Sequence, residues 1–444
     1  MNRTNRLAVV PGLSSVLLAA TVLATVLATV LATGATSGVA EGAAGAASAR
    51  DPSDESPQQA FELKNGDRVV FLGNALLERT LATAYIETAM TQAYPGRDVT
   101  FRNLAWSGDN VFGHARVGFD NPGSGFGRIE KRLTEAKPTV VVLGYGMNAS
   151  FAGAAGLESY LGGLDRLLAL IDRLGARVVF LGPLRHENLG APLPDPAAHN
   201  RQLELYIEAT RKVARKRGAV FVDLYRLLGD GTASDAGVPY TDNGIHLTDY
   251  GYWTLSGVIS GSLGLTPPRW SLDIDVAKRS VEAQGARCDK VQIAGSSARV
   301  EVTDLALPPP PPPEATPASR RDGSRRTLRV RGLSAGSYVI EAGDRTVAKA
   351  SAADLARGIS ITDGPETRQV ERLRGTIARK NFLFFHRWRP QNNTYLFLFR
   401  KHEQGDLAGE VDEFVPLIEH QERIIAELCT PVTQTYIVRR EEAR

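Results

Sequence analysis

Between residues 61 and 263, short apolar runs rich in Val, Leu and Phe alternate with longer stretches of helical periodicity. That alternation restricts the segment to stacked β-α units around a parallel sheet. Strands are expected at 68–72, 99–104, 139–144, 177–181 and 220–224, and helices at 76–94, 128–136, 157–174, 197–217 and 250–262. The strands are apolar at nearly every position, as strands covered on both faces must be. In an open sheet of this kind ligands bind beyond the carboxyl ends of the strands. Most of the polar motifs of the chain begin at those ends.

The flanks of this α/β domain, residues 61–266, have a different character. Arg3 and Arg6 precede a long Ala/Val/Leu-rich run at 7–32, and small residues follow as far as Ala49. Residues 1–49 therefore read as a secretory signal, with cleavage expected after Ala40 or Ala49. The run also exceeds the roughly 20 residues needed to span a bilayer, so an uncleaved N-terminal membrane anchor is the alternative. Both topologies export the rest of the chain to the periplasm, the cell surface or the medium. The net charge of +3 does not supply the concentrated basic face that nucleic acid demands, so no nucleic-acid partner is expected. Cys288 and Cys429 are too few for a disulfide framework; they read either as one bridge or as two unrelated buried thiols.

Residues 267–365 read as a β-rich insert, with strand-like segments at 290–293, 298–303, 328–330 and 337–342 and Gly-rich turns. Pro308 to Pro313 open a stiff, extended loop over 308–326, expected to be exposed. Arg320, Arg321, Arg325 and Arg326 in that loop are read as solvated charge, with contact to an anionic surface as the alternative. Residues 366–444 read as a helical segment that packs on the α/β domain. It has helices at 366–379 and 413–428, an aromatic and basic stretch at 381–392 and an apolar stretch at 395–399.

Four motifs carry the chemistry. They are Gly73-Asn74-Ala75-Leu76, Ser107-Gly108-Asp109, Gly144-Tyr145-Gly146-Met147-Asn148, and Thr241-Asp242-Asn243-Gly244-Ile245-His246-Leu247-Thr248, with Tyr250-Gly251-Tyr252 just beyond. In this order and spacing they resemble the four blocks of the SGNH/GDSL hydrolases, over about 200 residues. The resemblance implies a flavodoxin-like three-layer α/β sandwich and ester hydrolysis, with acyl groups on carbohydrate as the substrate class for an exported member and no cofactor. Carried over residue by residue, it makes His246 the general base. Gly108, Asn148 and the backbone N–H of residue 75 become the oxyanion donors, worth ~2.7–4 kcal/mol each where such donors have been deleted. Asn74 and Asp109 become substrate contacts.

The same alignment exposes departures from the family. The nucleophile position holds Ala75, Asn74 replaces an aspartate, and the position three before His246, where a carboxylate orients the imidazole, holds Asn243. Asp242, one residue further back, is the alternative carboxylate. Loss of a triad member leaves only about 10³–10⁴ of rate enhancement over water. The chain thus reads as an impaired esterase or pseudoenzyme. Its rivals are a non-catalytic protein that binds a carbohydrate or acyl ligand in the old pocket, and a membrane-tethered interaction scaffold whose protein partner is unknown. His186, after the fourth strand, reads as a substrate contact or a solvated loop histidine. No His/Cys/Asp/Glu cluster has metal-ligand spacing and no Gly-rich phosphate loop follows a strand, so neither metal nor nucleotide is expected.

Overall fold

The five apolar runs become β1 (Arg68–Gly73), β2 (Thr100–Asn103), β3 (Val140–Gly144), β4 (Arg177–Leu181) and β5 (Val220–Val222), in one all-parallel sheet of order β2-β1-β3-β4-β5. The computed structural model describes residues 61–118, 121, 123–229, 238–313, 326–405 and 407–441. Residues 1–49, expected to be a signal, and Arg320, Arg321 and Arg325 lie outside them. Every residue of β3 is buried, and β1 and β4 are buried except for their first residue. This strand order is the flavodoxin-like one, and its topological switch point falls between β1 and β3.

The helix expected at 76–94 is instead three: α1 (Ala75–Glu78), α2 (Thr80–Thr83) and α3 (Tyr85–Gln92). A continuous helix would use the Leu77 carbonyl for the next turn. Here it accepts from Thr80 Oγ1 at 2.7 Å and Asn103 Nδ2 at 2.7 Å, and Ala84 adopts a left-handed φ of 56°. The remaining helices of the layer are α4 (Ser124–Ala136), α5 (Met147–Ser150), α6 (Leu157–Arg173), α7 (Ala197–Lys216), α8 (Leu224–Leu227) and α9 (Asp249–Ser262). The side chain of Thr248 caps α9 by accepting from Gly251 N–H at 3.1 Å.

Beyond α9 come β6 (Trp270–Asp275), β7 (Ser280–Gln284), β8 (Ala286–Ala294), β9 (Ser297–Asp304), β10 (Arg326–Arg331), β11 (Ser337–Ala342), β12 (Arg345–Ser351), α10 (Ala352–Arg357) and β13 (Ile359–Ser360). Next are α11 (Pro365–Trp388), α12 (Asn393–Phe397), α13 (Phe414–Leu428) and β14 (Gln434–Arg440). The strands form two sheets, β13-β10-β6-β7 and β12-β11-β14-β9-β8. The C-terminal segment is therefore not helical to its end. Its alternating Gln-Thr-Tyr-Ile-Val-Arg-Arg run inserts between β11 and β9, burying Tyr436 and Val438.

Two further expectations change. Arg326 is not solvated: it is buried, ion-paired to Asp304 and, at 3.1 Å, to Glu366, because two carboxylates compensate its charge. The proline run is not a free loop. Leu307 is fully buried, and the Pro310 carbonyl accepts from Trp253 Nε1 on α9 at 3.0 Å. Cys288 and Cys429 are free thiols.

Helix α11 runs unbroken through the aromatic stretch, because Ile377, Lys380, Asn381, Phe384 and Trp388 fall on one buried face. Phe384, Trp388 and Ile418 of α13 complete the core of the α/β layer. The described residues form one compact unit.

Candidate active site

Where β1 and β3 end, the two backbones nearly touch. Gly73 and Gly144 are register partners, and a Cβ on Gly73 would lie 2.5 Å from the Gly144 carbonyl oxygen, so only glycine fits. Asn74 then turns the chain. Its side chain accepts from Leu76 N–H at 3.1 Å and caps α1. Ala75 is the first residue of α1, partly exposed, and its N–H makes no hydrogen bond among the described residues. Its side chain is a methyl group.

The second motif is held against the first by Trp106 N–H donating to Gly73 O at 2.9 Å. The turn closes with Asp109 N–H on Trp106 O at 3.0 Å, and Gly108 takes a φ of 77°, which an L side chain resists. Asp109 lies deep in the fold. It is 1% exposed, and its carboxylate accepts from Arg116 Nε at 2.7 Å and from Tyr145 Oη at 2.9 Å. Burial, then the neighbouring Asp109 charge, pushes the Tyr145 phenol far above its ordinary range. The third motif joins the second through Asn148, whose Nδ2 donates to Asp109 O at 2.9 Å.

The fourth motif is a tight loop hung on a buried carboxylate. Glu187 accepts from Tyr240 N–H at 3.1 Å, Thr241 N–H at 2.7 Å and Thr241 Oγ1 at 2.5 Å, while its own N–H donates to Gly244 O at 2.8 Å. Within the loop, Asn243 Oδ1 accepts from Ile245 N–H at 3.2 Å and His246 N–H at 3.0 Å. The oxygen end of the amide is thus committed to backbone donors, and the nitrogen end faces the ring, with Nδ2 2.9 Å from His246 Nδ1. An amide nitrogen can only donate, so Nδ1 accepts and the proton of the neutral imidazole sits on Nε2. Asn243 orients the ring as a carboxylate would and holds the tautomer opposite to the one a base at Nε2 needs. The Asp242 carboxylate pairs with Arg79 at 3.6 Å. Burial, with Arg79 in support and Asp242 opposing, holds His246 below the usual histidine range.

This loop is tied to the nucleophile position by Tyr252 Oη donating to Leu76 O at 2.9 Å and by the Arg79–Asp242 pair. All four motifs are thereby linked around the β1/β3 switch point.

His186 is neither solvated nor isolated. It is 9% exposed, and its Nδ1 lies 3.0 Å from His199 Nδ1, whose Nε2 lies 2.8 Å from Ser150 Oγ. The Ser150 hydroxyl donates to Met147 O at 2.7 Å, so His199 Nε2 donates to Ser150, His199 Nδ1 accepts, and neutral His186 carries its proton on Nδ1. Burial and the adjacent His186 press His199 down to about 4, which keeps it neutral at physiological pH.

The residues that motif reading missed come from the C-terminal segment. Arg389 donates to Glu78 at 2.5 Å and stacks 3.5 Å over the Trp106 ring, and the other oxygen of Glu78 accepts Ser107 N–H. The signal available was the Trp388-Arg389 pair inside an aromatic stretch, but nothing in linear sequence says which surface such a pair will reach. Among the described residues no group of three or more His, Cys, Asp or Glu side chains is placed to hold a metal ion.

The arrangement retains backbone and amide donors and an oriented imidazole, and it lacks an attacking oxygen at residue 75. The profile of the GDSL-like lipase/acylhydrolase family matches residues 66–254. Comparison with curated protein sequences gives no match. Among solved structures, a gut microbial diltiazem-metabolizing enzyme is 17% identical with a TM-score of 0.67, covering 86% of this chain and 100% of its own, so the likeness in fold extends beyond the α/β layer. An acetylxylan esterase from Geobacillus stearothermophilus is 18% identical, covering 46% of this chain and 97% of its own, with a TM-score of 0.37.

Proposed function

Residues 66–254 belong to the GDSL-like lipase/acylhydrolase family, and from that premise we propose that this chain is an exported member in which ester hydrolysis is disabled. The remaining pocket binds an acyl-type ligand, carried on carbohydrate or free. The observation that carries this reading is the pairing of two defects. Ala75 supplies no nucleophile, and Asn243 donates to His246 Nδ1, leaving Nε2 protonated. Either change alone would cripple acyl transfer, and the retained motifs keep the rest of the site in place.

The wild type should therefore give no labelling with a serine-directed fluorophosphonate and no turnover of p-nitrophenyl acetate above buffer. Vigorous hydrolysis that disappears in His246→Ala would sink the reading, since another nucleophile would then have taken over. Export rests on Arg3, Arg6 and the apolar run at 7–32. N-terminal sequencing of the native protein should find a chain that begins after Ala40 or Ala49, or a membrane-bound chain that retains the run. A soluble cytoplasmic chain that begins at Met1 would refute both.

A further inference from the structure

We propose that a cavity outside the four motifs binds a sugar acid, with Arg185 as the receptor for its carboxylate. Arg185 lies just beyond β4, at the carboxyl edge of the sheet, and is half-buried. Its guanidinium stacks 4.2 Å over the Tyr225 ring, its Nε is buried without a partner, and among the described residues it forms neither a hydrogen bond nor an ion pair. Elsewhere such a cation is answered: the half-buried Arg102, Arg211, Arg374 and Arg389 each pair with a carboxylate. A guanidinium carries five N–H donors in a planar fork that matches a carboxylate bidentately, and here the fold supplies no acceptor for it. Stacking on Tyr225 holds that fork in one plane before any ligand arrives.

Arg185 opens into a cavity of about 300 Å³ between the loop after β4, the start of α7 and Tyr225 of α8. On its wall Glu204 Oε1 accepts from Tyr225 Oη at 3.0 Å and Asp195 Oδ1 from Ala197 N–H at 2.9 Å, so each carboxylate keeps its second oxygen for another donor. Hydroxyl groups are the donors that suit separate acceptors of this kind. With Arg185 and the exposed Arg201 set against Asp195 and Glu204, the wall has no surplus of positive charge. That balance suits a single negative charge on a hydroxylated ligand and disfavours a dianion. The apolar parts are Pro196, Ala197 and a Tyr225 ring that Arg185 already covers, which leave little surface to hold an acyl chain. His186, on the same wall, packs against Gly244, where a Cβ would lie 2.9 Å from the imidazole, so the cavity adjoins the loop that carries His246. An occupant sits beside the motif pocket without using its donors, in a working or a disabled hydrolase alike.

The test uses the whole chain and three ligands that share one ring, D-glucuronate, D-glucose and D-glucose 6-phosphate, with affinity read by ligand-observed NMR at pH 7.5. Glucuronate should bind at least about tenfold more tightly than glucose, because charge-assisted bidentate bonds replace a neutral contact. It should also bind more tightly than glucose 6-phosphate, whose second charge meets Asp195 and Glu204. Arg185→Gln should bring glucuronate to within about twofold of glucose, and Arg185→Lys, which keeps the charge and loses the fork, should retain only part of the preference. Because Arg185 forms no hydrogen bond or ion pair in the fold, Arg185→Gln should leave the thermal midpoint nearly unchanged. High salt gives a readout on the wild type alone: it should weaken glucuronate and leave glucose as it was. Equal affinity for glucuronate and glucose, binding of none of the three, glucose 6-phosphate as the tightest ligand, or a preference that survives Arg185→Gln would each overturn the proposal.

Discussion

Ala75→Ser alone should leave the protein a very poor esterase, and Ala75→Ser with Asn243→Asp should raise kcat/KM for p-nitrophenyl acetate about 10³- to 10⁴-fold above that single variant. The serine restores the attacking oxygen at the start of α1, beside the Gly73–Gly144 contact that sets the position of the turn. It does not restore a proton acceptor, because the Asn243 amide still donates to Nδ1. In serine proteases the corresponding Asp-to-Asn exchange keeps the geometry and costs about 10⁴ in kcat through the wrong tautomer. Running that exchange in reverse should recover most of the factor. The carboxylate introduced by Asn243→Asp would accept the same two backbone N–H groups that Asn243 Oδ1 now accepts, from Ile245 and His246, and Nδ1–H in addition. The restored activity should rise with pH as the imidazole loses its proton. If the single and double variants were equally active, the tautomer argument would be wrong and Asn243 would matter only as a loop residue.

The second large effect is on stability. Lys380→Met should cost about 3–5 kcal/mol in urea unfolding. Lys380 of α11 is 1% exposed, and its Nζ lies 2.5 Å from Glu87 Oε1 and 3.1 Å from Phe101 O, with Asn381 Nδ2 on the other Glu87 oxygen at 2.9 Å. Burial pulls the Lys380 amine below its ordinary range, with the Glu87 charge opposing. Removing the lysine strands the Glu87 carboxylate, itself 4% exposed, with a single neutral donor. The paired change Lys380→Met with Glu87→Leu removes both charges and should return most of the loss, since a buried pair replaced by apolar groups is often near neutral. A cost under about 1 kcal/mol for the single change would show that water reaches Glu87 when the lysine is gone. The pair fastens α11 to α3, so its loss should also loosen the element that carries Arg389 to Glu78.

What the sequence determined by itself was the part governed by short-range periodicity and by contiguous motifs. The five parallel strands follow from apolar runs of strand length between helical stretches, and the match of residues 66–254 to the GDSL-like family model follows from four blocks in order. The absence of a hydroxyl at residue 75 was also legible, because a methyl group supplies no nucleophile in any fold. Local hydrogen bonding already escaped that reading. Asn74 and Asp109 were read as ligand contacts, and only the folded chain shows that Leu76 N–H bonds to the Asn74 side chain and that Arg116 and Tyr145 bond to the Asp109 carboxylate. Asn243 looked like a weak substitute for a carboxylate. The backbone of residues 245 and 246 decides which end of its amide meets the imidazole, and so which ring nitrogen of neutral His246 carries the proton.

Long-range pairing was least visible. Arg326 reads as solvated until Asp304 and Glu366 are folded onto it, β14 reads as a tail until β9 and β11 bracket it, and Arg389 gives no sign that it reaches Glu78, 311 residues away. Those partners lie from 22 to 311 residues apart along the chain, and tertiary burial alone makes their pairing favourable. Periodicity reports which face of an element is apolar; the partner of a charge is decided only when water has been excluded from around it.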